Sequence, residues 1–347
     1  MTGGAQPLVR CSASPRVAGP EAAHHADAVK SAGVAVVGAG VAGVACARAL
    51  QDAGVTVQVL ERGRVPGGRA ASRTLHGRRV DLGASYLTAR DPAFRAVVDD
   101  WTERELARPW TDRFDVAGPD GWTTTSSSVL RYGTTHGIRT LVEDLAAPLD
   151  VRTGVDVALV GPGPCVDGLR WDAVVLALPD EQALDLLDDA LPEEQAAVSR
   201  PAWEPVLSLA AGFDDRRWDL DGVFVKPDHP VGGTLAWVAD DGRRRGDGAP
   251  VLVAHSTSAA ALPHLDDPSS AVPVLVDALR ALLDLPAPQW THLQRWSLAR
   301  PAEPRESPFH LGTAGVGLCG DGWGAPRFET AWTSGNALGV ELARRLA

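Results

Sequence analysis

VAVVGAGVAGVACARALQDAGVTVQVLER, residues 34–62, decides the fold. It reads as a short buried strand, a glycine turn, an amphipathic helix stopped at Gly54, and a second strand, which together make a βαβ unit. Gly38, Gly40 and Gly43 stand as G-x-G-x-x-G between the first strand and the helix, the context in which that spacing has a meaning. The first glycine permits the tight turn, the second lets a pyrophosphate approach the backbone, and the third brings helix and strand together. Free N–H groups and the helix dipole then hold the phosphates. Glu61 closes the second strand, where a carboxylate accepts hydrogen bonds from a ribose 2′-hydroxyl and repels a 2′-phosphate. The unit predicts a bound dinucleotide, and since NAD and FAD share an ADP half it does not choose between them.

A second glycine pair, Gly67-Gly68 in RGRVPGGR (62–69), follows the second strand directly. Arg69 offers a planar, permanently charged donor fork suited to a pyrophosphate oxygen. An NAD site has no need for this, whereas the longer FAD does. At the far end, GLCGDGWGAPRFETAWTSGNALG (317–339) puts Asp321 at a strand tip, able to bond a ribityl hydroxyl, with a helix beginning near Thr330. That helix's N-terminus can face the pyrimidine edge of a flavin, where its dipole favours negative charge. Three separated segments then converge on one FAD.

Composition narrows the partners. The chain has 347 residues, 45% of them hydrophobic, enough for a sizeable core, and a net charge of −11. A phosphate backbone needs a basic stripe, so nucleic acid is excluded as a partner. Cys11, Cys46, Cys165 and Cys319 show no metal or disulfide spacing, which points to no metal site and to a reducing, cytoplasmic setting. No run reaches the apolar length of a membrane span. Residues 1–31, rich in Ala, Gly and Pro, read as a disordered extension.

Further along, VRTGVDVALVGPG (151–163) resembles a short strand pair, WDAVVLALP (171–179) a buried strand, and residues 180–199 a polar helical region. A second body follows, with strands in VLSLAAGF, GTLAWVAD, PVLVAHST and HLQRWSLA and a helix in AVPVLVDALRALLDL. The last forty or so residues return to the first pattern. The reading is α/β: a Rossmann-like FAD-binding domain over 32–95, 133–200 and 305–347, with an inserted mixed-sheet substrate domain over 96–132 and 201–304.

VVGAGVAGVACARAL, ERGRVPGGRAASR, DLGASYLTARDPAF and LCGDGWGAPRFETAWTSG resemble, in order and spacing, the FAD-dependent amine oxidoreductase superfamily, specifically its renalase-like branch. WDAVVLALP, LAWVADD, LVAHSTSAA and QRWSLARP are similar to that branch's strands more loosely. The resemblance implies a p-hydroxybenzoate-hydroxylase-like two-domain flavoprotein with noncovalent FAD. It implies oxidation of dihydronicotinamide isomers or, across the superfamily, of amines. It further assigns Arg62, Gly68 and Glu329 to FAD binding beside Gly38, Gly40, Gly43, Glu61, Arg69 and Asp321, and places the Val157 backbone at the adenine. Ser85 stands where this branch often has Gln, Thr330 where it often has Gly, and GTTHG (133–137) replaces its usual Pro-Gly loop. Amine oxidases commonly hold a water with a Lys near the flavin, and neither Lys30 nor Lys226, the two lysines of this chain, falls in a matching segment.

Hydride transfer to flavin N5 needs positioning in a dry cavity more than ionisable groups. Tyr86, Trp237, His255 and Trp296 are the pocket candidates. His255, in an apolar strand, could orient a polar substrate, take up a proton near neutral pH, or serve structure alone. The two tryptophans read as packing as readily as an aromatic wall. His136 sits on a loop, as pocket group or exposed side chain, and Arg243 to Arg245 read as a solvated turn, with substrate-phosphate recognition the sharper alternative. The expected activity is hydride transfer from a small reduced donor, with O2 or another acceptor closing the cycle. A tailoring amine oxidase or desaturase, and a flavin-binding protein without turnover, stand beside it.

Overall fold

A computed structural model of the protein describes residues 33–199 and 203–347. Residues 1–31, with Cys11 and Lys30, lie outside the described residues. The opening unit forms as its pattern requires: strand Val34–Val37, helix Val41–Asp52, and strand Val57–Glu61, parallel to the first with Val36 opposite Val59. The sheet has six strands in the order His310–Leu311, Val316–Leu318, Ala173–Leu176, Val34–Val37, Val57–Glu61, Asp150–Thr153. Every neighbouring pair is parallel except the one at the His310–Leu311 edge. A parallel sheet must be covered on both faces, and alternation divides the work. Val34, Val36, Val57 and Val59 pack under helices Val41–Asp52, Pro92–Glu103, Arg139–Ala146 and Phe328–Leu346. Ala35, Val37, Leu60, Val174 and Leu176 face a small three-stranded sheet over 160–170 and the short helices Asp180–Leu186 and Pro192–Val198.

Two helices fix the geometry of the nucleotide end. A Cβ at Gly335 would strike the Ala42 backbone and one at Gly339 would approach the Cys46 carbonyl, so Val41–Asp52 and the closing helix Phe328–Leu346 touch backbone to backbone. The register 42 to 335 and 46 to 339 means that they run in the same direction. The closing helix begins six residues earlier in that register, and at 1.5 Å per residue its N-terminus overhangs the first by roughly 9 Å.

The second sheet has seven strands, in the order Trp290–Pro301, Trp203–Gly212, Val251–Ser256, Leu235–Asp240, Gly222–Val225, Arg108–Gly118, Gly121–Gly133. One face, carrying Leu207, Leu209, Ala211, Leu252, Ala254 and Val238, is covered by helix Val272–Leu283. The opposite face turns to the nucleotide body, where Ala210, Val251 and Val253 pack on Val80 and Leu82. Cross-strand register sets Gln294, Ser208, His255, Trp237 and Phe224 in one row on that face.

Two local readings change, and one helix stands where none is predicted. The stretch 75–132 contains a helix, Pro92–Glu103, announced by Asp91, whose carboxylate accepts from the Ala93 and Phe94 N–H groups, and by Pro92 in the first turn. Its Phe94 and Trp101 pack against Phe328 of the closing helix, with the nucleotide body. The strands in VRTGVDVALVGPG do not pair with each other: Asp150–Thr153 joins the parallel sheet beside Val57–Glu61, and Val160–Gly161 pairs with Cys165–Val166. Pairing partners of such short strands are settled by distant contacts.

Arg243 to Arg245 do not form a solvated turn. They lie in the short helix Asp241–Arg245, with Arg244 1% and Arg245 4% exposed. Asp241 accepts from Arg78 at 2.6 Å and from Arg244, and Arg245 reaches Asp81 at 3.1 Å. Burial would raise the Asp241 carboxyl, but the three guanidiniums outweigh it and hold the group at about 2. The network joins the two bodies, because Asp81 and Arg78 belong to a hairpin beside the first sheet and Asp241 to the second.

Candidate dinucleotide cleft and aromatic box

The two glycine loops line one cleft. Gly38 turns with φ +102°, and a Cβ there would sit 2.8 Å from the Ala177 carbonyl oxygen. A Cβ at Gly43 would run into the Gly38 carbonyl, so strand and helix are in backbone contact. Gly40 is different: a Cβ there would meet nothing within 4 Å. As N-cap of helix Val41–Asp52 it supplies no side chain to the free N–H groups of the first turn, and no acidic residue stands there. The N–H groups of that turn therefore have no side-chain acceptor within the helix start. The second loop folds onto the first, for the Gly67 N–H donates to the Ala39 carbonyl at 2.9 Å. A Cβ on Gly68 would come within 3.3 Å of the Gly40 Cα.

Glu61 ties the floor of this cleft. Its carboxylate accepts from the Ala39 N–H at 2.7 Å and the Gly63 N–H at 2.6 Å. Each oxygen keeps a second lone pair for a ribose hydroxyl. The Val155 N–H donates to the Glu61 carbonyl at 3.0 Å, which brings the Val157 segment alongside, although the Val157 side chain itself is buried in the core. Arg62 is exposed at the same rim.

Arg69 and Asp321 meet across 252 positions in a bidentate fork, with Nη1 to Oδ2 at 2.8 Å and Nη2 to Oδ1 at 2.5 Å. Arg69 also donates to the Ala299 carbonyl at 3.0 Å and lies 4.6 Å over the Trp203 ring. The pair thus sits where the second glycine loop, the strand-tip loop and the seven-stranded sheet come together. Arg305, which no sequence motif announces, supports this loop from below. It pairs with buried Asp180 at 2.6 Å and donates to the Gly322 carbonyl at 3.0 Å.

Thr330 lies in the first turn of the closing helix, whose N-terminus has no side-chain cap. The Glu329 carboxylate is engaged within the protein. It accepts from the Arg90 and Asp91 N–H groups and from the Thr88 hydroxyl at 3.3 Å, fastening the 88–91 loop to the helix start. A contact from position 329 to a cofactor would therefore come from its backbone.

Tyr86 and Trp237 are brought together, ring centroids 6.0 Å apart, and Trp237 donates to the Ser85 hydroxyl at 3.1 Å. Phe114, Trp110 and Phe224 complete an aromatic box around them, with Phe114 4.6 Å from Trp237 and 5.3 Å from both Tyr86 and Trp110. Arg244 holds the box in place by donating to the Ser85 carbonyl at 2.9 Å. Trp296 lies at the other end of the same face and donates to the Leu82 carbonyl at 2.7 Å. His255 stands between, cross-strand from Trp237 and Ser208, and neither its Nε2 nor the Ser208 Oγ has a partner. Burial, with Arg244 and Arg300 nearby, pushes His255 down to about 4, so the imidazole is neutral at pH 7 and does not store a proton there. His136 is exposed. Among the described residues no group of three or more His, Cys, Asp or Glu side chains could hold a metal, and no helix is long and apolar enough to cross a membrane.

Cleft and sheets define a mixed α/β protein with a Rossmann-like body and a multi-sheet second body. The family model of an NAD(P)-binding Rossmann-like domain matches residues 36–101. Over 79 residues, 22% of this chain, it is 48% identical to a phytoene dehydrogenase of Streptomyces griseus. Over 87 residues, 25% of the chain, it is 39% identical to protoporphyrinogen oxidase 2 of Arabidopsis thaliana. The matched stretches span 16% and 17% of those relatives' own length. Among solved structures, cyclohexylamine oxidase from Brevibacterium oxydans superimposes with a TM-score of 0.73 at 13% identity, covering 90% of this chain and 99% of that one. Putrescine oxidase bound to putrescine gives 0.66 at 15% identity, over 91% and 99%. A fatty acid isomerase from P. acnes gives 0.67 at 14%, over 88% and 97%. The whole architecture is therefore shared with these enzymes, while their reactions differ, and the chemistry of this chain has to be read from its own site.

Proposed function

We propose that the protein is an FAD-dependent oxidoreductase that takes a hydride from a small reduced organic donor, with O2 or another acceptor closing the cycle. The observation that carries the reading is the meeting of Gly40, Gly68 and the Arg69–Asp321 fork at one cleft. An NAD site is served by the first loop alone, and the second loop and the strand-tip acid extend it toward the closing helix. In this reading the helix start at Gly40 binds the pyrophosphate noncovalently, Glu61 the ribose, Arg69 a phosphate oxygen and Asp321 a ribityl hydroxyl. The N-terminus of the closing helix, roughly 9 Å further on, offers its dipole to the ring system. Bound FAD supplies a two-electron acceptor. Ser85, Tyr86, Trp237 and Trp296 then exclude water and position the donor, and neutral His255 with Ser208 presents hydrogen-bonding groups without adding charge.

A dihydronicotinamide isomer, as in the renalase-like branch, is the donor class we favour over an amine; Lys226, the one lysine among the described residues, packs its side chain beside Gly118 of the seven-stranded sheet. Cys46, Cys165 and Cys319 are free, in keeping with the cytoplasmic setting that completes the proposal. The test is anaerobic mixing of the purified yellow protein with candidate donors. Bleaching by 2- or 6-dihydro-NAD(P) supports the reading, whereas bleaching only by amines supports an amine oxidase. A protein that neither carries nor takes up FAD overturns both.

A further inference from the structure

One short segment, 86–95, gathers four arginines from three parts of the chain. Its Leu87 exchanges backbone hydrogen bonds with Tyr132, at 3.2 and 2.9 Å, which sets Tyr86 beside Arg131. Arg131 donates to the Tyr86 side chain, its guanidinium 5.9 Å from the ring centroid. Further on, the Arg90 and Asp91 N–H groups and the Thr88 hydroxyl bond the Glu329 carboxylate, which brings Arg90 to the start of the closing helix, where Arg327 is the N-cap. Arg95, one turn into the helix Pro92–Glu103, reaches back to the Tyr132 hydroxyl at 2.8 Å and to the Ala89 carbonyl. Among the described residues none of these four guanidiniums forms an ion pair. The chain has 44 acidic residues to 33 basic ones, so partners are plentiful, and four unpaired cations in one place are held against their own repulsion. The carboxylates at hand are engaged elsewhere: Glu329 as above, and Asp91 with the Ala93 and Phe94 N–H groups. Asp115, Asp219 and Asp221, which share a hollow with Phe114, are taken by Thr124 and Arg243. Tyr86 registers the result: burial raises its phenol, while Arg131, Arg327 and Arg90 all act to lower it. Arg95 and Arg131 are half-buried and bonded in place, whereas Arg90 and Arg327 are exposed with their guanidiniums free.

We propose that Arg90 and Arg327, backed by the charges of Arg95 and Arg131, bind a phosphate group of the hydride donor. Guanidinium forks match phosphate oxygens in both geometry and charge, and two exposed ones from different segments can grip one phosphate together. The inference rests on the dihydronicotinamide reading above and narrows it: the donor is a nucleotide, with a phosphate on its ribose, and the free base or riboside is a poor substitute. Gly40 and Arg69 are left to the cofactor, and a protonated amine meets four cations of its own sign.

The experiment is calorimetric titration of the FAD-loaded full chain with nicotinamide riboside, nicotinamide mononucleotide and inorganic pyrophosphate. The mononucleotide binds at least about tenfold more tightly than the riboside, a difference one charge-assisted hydrogen bond can supply. Raising the salt toward about 0.5 M narrows that gap. Arg90→Gln/Arg327→Gln removes the preference and leaves riboside binding unchanged, while Arg90→Lys/Arg327→Lys keeps part of it. Pyrophosphate competes with the mononucleotide in the parent protein and not in the glutamine variant. A riboside that binds as well as the mononucleotide, a preference that survives Arg90→Gln/Arg327→Gln, or no binding of any probe overturns the inference. A protein whose flavin no dihydronicotinamide reduces, but which binds pyrophosphate through Arg90 and Arg327, overturns the donor reading and leaves the phosphate site standing. A protein reduced as readily by dihydronicotinamide ribosides as by the nucleotides does the reverse.

Discussion

The nucleotide body and the seven-stranded body solve positioning in opposite ways. In the first, the backbone does the work: Gly38, Gly40, Gly43 and Gly68 bring main chain to main chain, and the space left over at Gly40 is where we propose that a phosphate binds. In the second, side chains from distant segments do it: Tyr86, Trp110, Phe114, Arg131 and Trp237 meet only because strands from 108 to 301 pair and the 82–86 loop is pinned against them. A site made of backbone is nearly independent of which apolar residues surround it, whereas a site made of side chains changes chemistry with a few substitutions. That is a physical reason for one architecture to host oxidases and an isomerase.

The contrast can be broken at its strongest point by single changes in each body. Gly43→Ala, which drives a methyl into the Gly38 carbonyl, is expected to cost about 3 kcal/mol or more, read as a lowered urea midpoint. Arg305→Met leaves Asp180 buried at the junction of the two bodies without its cation, with both side chains under 10% exposed in the native pair. The expected loss is roughly 3–5 kcal/mol by the same measurement, much of it recovered in Arg305→Met/Asp180→Asn. If the double variant is no better than the single one, the pair is not what holds the loop.

His255 sharpens the comparison on the side-chain body. Its imidazole stays neutral in the fold down to about 4, while in the unfolded chain it takes up a proton near the ordinary 6.5. The unfolded state therefore binds more protons between these values, and stability falls as pH drops from about 6.5 toward 4, by up to about 3 kcal/mol. Urea midpoints at pH 7 and pH 5 should differ less in His255→Gln than in the parent protein. Equal differences would mean that the ring is hydrated and charges freely.

Legibility follows the same divide. G-x-G-x-x-G with Glu61 is a local pattern, and the strand–turn–helix–strand unit it announces forms with those residues in place. The second glycine pair is legible too, yet its direct contact with Gly40 is not, because nothing local encodes which backbone a loop will touch. Arg244 and Arg245 read as a charged surface run, since a sequence does not display the distant Asp81 that, together with Asp241, makes their burial tolerable. Arg131 and Trp110 escape for a more specific reason. The pairing of Arg108–Gly118 with Gly121–Gly133 shifts register between Pro109 and Thr111 and again between Thr111 and Arg113. Each bulge re-aims the side chains after it, so alternation along the strand does not tell which residues face the box. Helix Pro92–Glu103 differs from these, since its start signal, Asp91-Pro92, stands in the sequence itself.

Gly40→Ala tests the central claim most directly, because the fold leaves room for the added methyl and a bound pyrophosphate does not. The variant should keep its urea midpoint to within the roughly 1 kcal/mol that alanine costs at an N-cap. FAD affinity, measured by titrating apoprotein and following the flavin absorbance, should fall about tenfold or more. An unchanged FAD affinity in a fully folded Gly40→Ala protein would contradict the account, since the cleft between the two glycine loops would then not be where the cofactor binds.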